Sequence, residues 1–188
     1  MSLLARSSSS VLILGGALMT VLLAVMTVAP ASPAIYGFFV VAPAIGIGVL
    51  GARLVAGGGA GRFGRFSAWI AALGGIMVVV VGGYAIVTNQ FSAVVGAGSD
   101  DPLAIPFMLT SMAWMLGSLG FALALVRSGT IPALGGWLVL LGTVTAIVLG
   151  TLLGSIAPEL SPLTALPFGI GWSVVGLQLR GPVSATSA

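Results

Sequence analysis

Apolar residues fill this chain in six blocks, separated by short stretches of glycine, proline, serine and charge. The blocks cover residues 11–29, 34–54, 68–87, 103–126, 133–153 and 163–179. Each is close to the ~20 residues that a bilayer-crossing helix needs, although the last is short, at about 25 Å by helical rise. The pattern predicts an all-α, polytopic membrane protein: one bundle of six transmembrane helices, a single domain over residues 1–188, with short loops. A rival reading of the first block is a secretory signal peptide cut after Ala31, because Ala29-Pro30-Ala31 fits the small-residue rule, but the apolar run exceeds the usual 7–15 residues of a signal core.

The charges fix an orientation for this expected topology. Arg6, Arg53, Arg62, Arg65, Arg127 and Arg180 all fall on one side of a six-span path, and Asp100, Asp101 and Glu159 all fall on the other. Arginine-bearing segments stay cytoplasmic during insertion, so both termini are expected inside. Composition agrees with the class: 59% of the residues are hydrophobic and 5% charged, against about 25% charged in water-soluble domains. The net charge of +3 is spread along a cytoplasmic belt and predicts no nucleic-acid surface; its partner is the lipid bilayer.

Missing residue types narrow the chemistry. The chain has no Cys, which removes disulfides and thiol catalysis, and no His, which removes imidazole ligands and a His base. With no Lys, neither Schiff-base chemistry nor a phosphate-binding lysine is open to it. No acidic or basic side chain falls in the middle of an apolar block, Arg53 lying at the inner edge of the second, so the relays of ion-coupled carriers have no counterpart here. No cofactor and no metal are expected. The lack of Lys beside six Arg, with abundant Ala, Gly and Val, looks like coding from a GC-rich genome and points to the cell membrane of a prokaryote.

Proline and glycine mark the candidate positions. Spans two and six each carry a proline, then Gly-Ile-Gly, then an arginine: Pro43, Gly46, Gly48 and Arg53 in one, Pro167, Gly169, Gly171 and Arg180 in the other. A proline inside a helix frees the carbonyl four residues earlier, here Phe39 and Leu163, and such breaks are used for binding in transporters. Pro43, Gly46, Gly48, Pro167, Gly169 and Gly171 are therefore candidate hinge or pathway positions. The competing reading is a kink with tight packing. Small residues at Ala44, Gly48 and Ala52, at Gly117 and Gly120, and at Gly150 and Gly154 suit close helix approach, within the bundle or toward a second copy or a membrane-protein partner.

Further features have structural readings. Gly59 to Gly64 matches the letters of a dinucleotide fingerprint, but it lies between two spans and lacks the acid about 20 residues on, so a glycine-rich loop at 57–66 is expected. Hydroxyls inside the spans are expected to bond to their own helix carbonyls. Asp100, Asp101 and Glu159 read as solvated loop acids, with a hard-cation site as the alternative; Asp101 is expected to cap span four and Pro102 to open it. Trp69, Phe63 and Phe66 suit an inner aromatic belt, and Tyr36, Tyr84, Phe91, Phe107 and Phe168 an outer one. Trp114 and Trp172 fall near mid-membrane and are expected to face other helices, with a carbonyl or hydroxyl accepting from each indole.

The last third contains Ile131-Pro132-Ala133, Gly136-Trp137-Leu138, Leu166-Pro167-Phe168-Gly169-Ile170-Gly171-Trp172 and Gly176-Leu177-Gln178-Leu179. In these motifs it resembles small multi-span membrane proteins of actinobacteria and haloarchaea that carry domain-of-unknown-function labels. The resemblance implies no activity and carries over no functional residue. The expected function is that of a non-enzymatic integral membrane protein, an accessory or assembly component. The alternative is a small transporter or channel for a neutral or apolar solute.

Overall fold

A computed structural model describes residues 3–29, 36–56, 60–88, 102–129 and 132–180. These form six α-helices and one 3₁₀ segment, and no strand occurs among them. The helices are α1 (Leu3–Val28), α2 (Phe38–Ala56), α3 (Gly61–Val87), α4 (Ala104–Ser128), α5 (Ala133–Ile156) and α6 (Leu166–Gln178), with the 3₁₀ segment (Pro158–Ala165) leading into α6. Five stretches are long and apolar enough to cross a membrane: Arg6–Val28, Gly61–Val87, Ala104–Ser128, Ala133–Ile156 and the continuous Pro158–Gln178. Phe38–Leu54 in α2 is equally apolar but shorter.

Each helix packs on its neighbour in sequence, and α6 closes the ring by packing on α1. The close approaches run in opposite directions on paired helices, so every pair is antiparallel. Gly48 of α2 and Gly37 just before it meet Leu12 and Leu22 of α1; Gly117 meets Ala71 and Gly64 meets Ala124 between α4 and α3; Gly171 meets Val139 and Gly135 meets Val175 between α6 and α5. All six arginines therefore fall at one end of the ring, the arginine end, and Glu159 falls at the other. Large apolar side chains cover the outside, among them Leu14 (69% exposed), Leu73, Ile105 and Leu141. Apolar residues turned outward on every helix are what a hydrocarbon solvent requires.

Several boundaries differ from the sequence reading. Ser7 to Ser10 lie within α1, because Ser8 and Ser9 are buried against α2 and α6, where Gly51 and Gly176 leave room for them. Arg62 to Phe66, expected in a loop, form the first turns of α3 after Gly61, whose φ of 61° is the left-handed conformation that glycine alone adopts freely. Pro102 stands two residues ahead of α4 rather than at its first position, and Leu103 is the N-cap, with no side-chain cap. Asp100, Asp101 and Phe91 lie outside the described residues.

The loop expected around Glu159 is the 3₁₀ segment. Pro158 and Pro162 bring no N–H, so Pro162 cannot make the α-helical bond to the carbonyl of Pro158. Tighter bonds take over: Leu160 donates to the Ala157 carbonyl at 3.0 Å, and Leu166 donates to that of Leu163. The carbonyl of Leu163 thus has a partner, contrary to expectation. Pro167 follows at the start of α6, where a missing N–H breaks no helical bond, whereas Pro43 lies inside an uninterrupted α2.

Candidate functional site: an apolar cavity closed by an aromatic core

The centre of the ring is built from four aromatic rings on two helices. On α4, Trp114 and Phe121 are seven residues apart and share a face; on α6, Phe168 and Trp172 are four apart. Trp114 meets Phe168 edge to face with ring centres 5.4 Å apart, Phe168 meets Trp172 edge to face at 6.3 Å, and Phe121 stacks on Trp172 at 6.4 Å. Phe121, Phe168 and Trp172 are fully buried and Trp114 nearly so. Aromatic pairs of this geometry contribute about 0.5–1.5 kcal/mol each beyond their buried area.

Both mid-membrane tryptophans thus face other helices, as the sequence reading expects. Phe168 does not join an outer belt. It sits at the middle of the core, because Gly142 on α5 has no side chain to keep the backbone of Phe168 away. The expected acceptors for the indoles are absent as well. Trp114 Nε1 and Trp172 Nε1 are buried with no hydrogen-bond partner, as are Ser118 Oγ and Gln178 Oε1. An unpaired polar group in such a place costs about 1–3 kcal/mol, which the packing of four large rings must offset.

A cavity of about 350 Å³ occupies the half of the ring nearer Glu159. Met19, Leu23 and Met26 of α1, Phe38, Phe39 and Ala42 of α2, and Val78 of α3 form one side. Phe107, Ser111, Trp114 and Met115 of α4, Ala146 of α5, the 3₁₀ residues Ser161, Pro162, Thr164 and Ala165, and Phe168 of α6 form the other. Among the described residues no charged side chain lines it. The only side-chain polar atoms outside the indole on its described walls are three hydroxyls, and two of these are engaged: Ser161 donates to the Gly150 carbonyl at 3.1 Å and Thr164 to the Ser161 carbonyl at 2.7 Å. Trp114 and Phe168 close its deep end, so the aromatic core separates it from the arginine end.

The six candidate hinge or pathway positions all lie elsewhere. A side chain on Gly46 would come within 2.9 Å of the Ala72 Cα, on Gly48 within 2.7 Å of Leu12 Cδ2, on Gly169 within 2.9 Å of the Gly16 carbonyl oxygen, and on Gly171 within 2.5 Å of the Val139 nitrogen. These glycines are seams between helices. Ile47 and Ile170, set between them, point outward and are exposed. Neither Pro43 nor Pro167 touches the cavity.

Several hydroxyls inside the helices bond as expected, whereas Ser118 finds no partner. Thr20, Thr143 and Thr151 donate to Gly16, Val139 and Ile147, each four residues back, at 2.6–2.9 Å. Others join helices: Ser173 of α6 donates to the Ile13 carbonyl of α1 at 3.2 Å, and Thr145 of α5 donates to that of Thr164 at 2.5 Å. Among the described residues no cluster of carboxylates could hold a metal ion, and Glu159 stands exposed. The cavity has no counterpart in the sequence reading, since its wall residues come from all six helices and share no motif. Comparison with protein-family models, with curated proteins and with solved structures gives no match to this chain.

Proposed function

We propose that the chain is a non-enzymatic integral membrane protein, an accessory or assembly component of a prokaryotic cell membrane, inserted with its arginine end in the cytoplasm. The observation that carries this reading is the closed centre: Trp114, Phe121, Phe168 and Trp172 fill the ring between the cavity and the arginine end. Glycine seams bring the surrounding backbones together, leaving the outer, lipid-facing surface as the place where a membrane partner would act. The arginine end suits the cytoplasmic side by the positive-inside rule.

One observation favours a second reading, a path for a small neutral solute. Trp114 Nε1, Ser118 Oγ and Trp172 Nε1 are unpaired polar groups on the helices that close the cavity. Moving the aromatic rings apart would expose hydrogen-bonding groups to a passing solute. The two readings separate in sealed vesicles containing purified protein, by light scattering after an osmotic step with glycerol or urea. The accessory reading expects shrinkage and recovery at the rate of protein-free vesicles. Faster glycerol or urea entry that disappears in Gly171→Leu would establish transport instead.

A further inference from the structure

We propose that the cavity near Glu159 is a binding site for one acyl chain of a membrane phospholipid, drawn from the leaflet at that end of the bundle. The described walls are mostly hydrocarbon, thioether and aromatic ring, with three hydroxyls and no charge among them. At about 350 Å³ the cavity falls at the low end of the ~300–1,000 Å³ range of small-molecule sites. Its depth follows from its walls. Phe107 to Trp114 on α4 and Met19 to Met26 on α1 each span seven residues, or about 10 Å of helix, roughly a third of a ~30 Å hydrocarbon core.

The surroundings identify the occupant. At the same depth the outer faces of the helices expose Val21, Val80, Ile105 and Leu152, so hydrocarbon chains are the solvent there. Water is a poor filler, because a buried water needs two to four polar partners and the described walls offer, in side chains, only the Trp114 indole N–H and three hydroxyls, two of which already donate elsewhere. A lipid chain suits the walls throughout, and filling the space restores the dispersion contacts that an empty one forfeits. Met19, Met26 and Met115 supply flexible side chains that follow an irregular chain, as methionines do at adaptable apolar surfaces. The hydroxyls of Ser161 and Thr164, on the segment that carries Glu159, mark the end where the chain would join its ester linkage.

Trp114 at the deep end reports occupancy. The Trp69→Phe/Trp137→Phe variant loses the two exposed indoles and keeps the buried Trp114 and Trp172. It is reconstituted in phosphatidylcholine vesicles with and without bromine on one acyl chain, and fluorescence is compared. Expected is a loss of about half the emission in brominated lipid, since one of the two remaining indoles borders the occupied site. Adding Ala146→Phe, or in a separate protein Ser111→Leu, narrows the cavity and should abolish most of that loss, with near-ultraviolet circular dichroism unchanged. The proposal is overturned if brominated lipid leaves the emission unchanged. It is equally overturned if quenching persists in both correctly folded cavity-narrowed proteins, or if soluble acrylamide quenches the buried pair as strongly as the brominated chain.

Discussion

Arg180 donates through Nε to the hydroxyl of Ser9 at 2.9 Å, joining two residues 171 positions apart. Ser9 in turn donates to the Gly176 carbonyl at 2.6 Å, and Arg180 Nη2 reaches Ser10 at 2.8 Å. The end of the last helix is thereby tied to the start of the first, at the seam that closes the ring. Ser9 is fully buried, so its hydroxyl both accepts a charge-assisted bond and satisfies a helix carbonyl in an apolar setting.

Ser9→Ala should therefore destabilise the protein. It leaves the Gly176 carbonyl without its side-chain donor and Arg180 Nε without its acceptor, at an expected cost of about 1–2 kcal/mol. Thermal unfolding in mild detergent, followed by circular dichroism, checks this. Arg180→Ala should lower the midpoint in the same direction but by less, because Arg180 itself is exposed.

Ser118→Ala should do the opposite. Ser118 is as buried as Ser9, yet its hydroxyl has no partner. Removing an unpaired buried hydroxyl is expected to be neutral or to stabilise by up to about 1 kcal/mol. A midpoint that falls as far as that of Ser9→Ala would mean that the Ser118 hydroxyl is engaged.

The glycines divide into two classes with different expected outcomes. A methyl on Gly117 would lie 2.8 Å from the Ala71 Cα, backbone that cannot give way without parting α3 from α4. One on Gly83 meets nothing within 4 Å. Gly117→Ala should cost about 1–3 kcal/mol by overpacking, and Gly83→Ala should be neutral or gain up to about 1 kcal/mol from helix propensity. Size-exclusion chromatography after a heating series ranks the two variants against the parent.

Truncating the aromatic core should be the most damaging change. Phe168→Ala removes a fully buried ring that touches both tryptophans, for an expected loss of about 3–5 kcal/mol. Near-ultraviolet circular dichroism should show loss of the fixed tryptophan environment well before helix content falls. An unchanged tryptophan signal would place the ring outside the core.

Apolar block length made the helices legible, because the length of an apolar run answers to the thickness a helix must cross. The back-bonded threonines and the burial of Trp114 and Trp172 followed from the same local physics. Boundaries set by tertiary contacts did not. Ser8 and Ser9 fall ahead of the first apolar block, and join α1 because Gly51 and Gly176 give them a place to pack; the segment from Pro158 becomes ordered 3₁₀ structure through bonds to Gly150 and Thr145 of α5. Gly46, Gly48, Gly169 and Gly171 were legible as special positions, but sequence leaves a seam and a pathway indistinguishable. The cavity depends on where six helices diverge, which no single stretch of sequence encodes.

The orientation of this ring is tested most directly by cysteine labelling, because the native chain contains no Cys. Single cysteines replace Ser7 or Ser128 at the arginine end and Ser155 at the Glu159 end, and whole cells are treated with a membrane-impermeant maleimide. Expected is labelling of Ser155→Cys in intact cells, with Ser7→Cys and Ser128→Cys labelled only after lysis. Labelling of Ser7→Cys or Ser128→Cys from outside, with Ser155→Cys protected, would contradict the cytoplasmic placement of the arginine end.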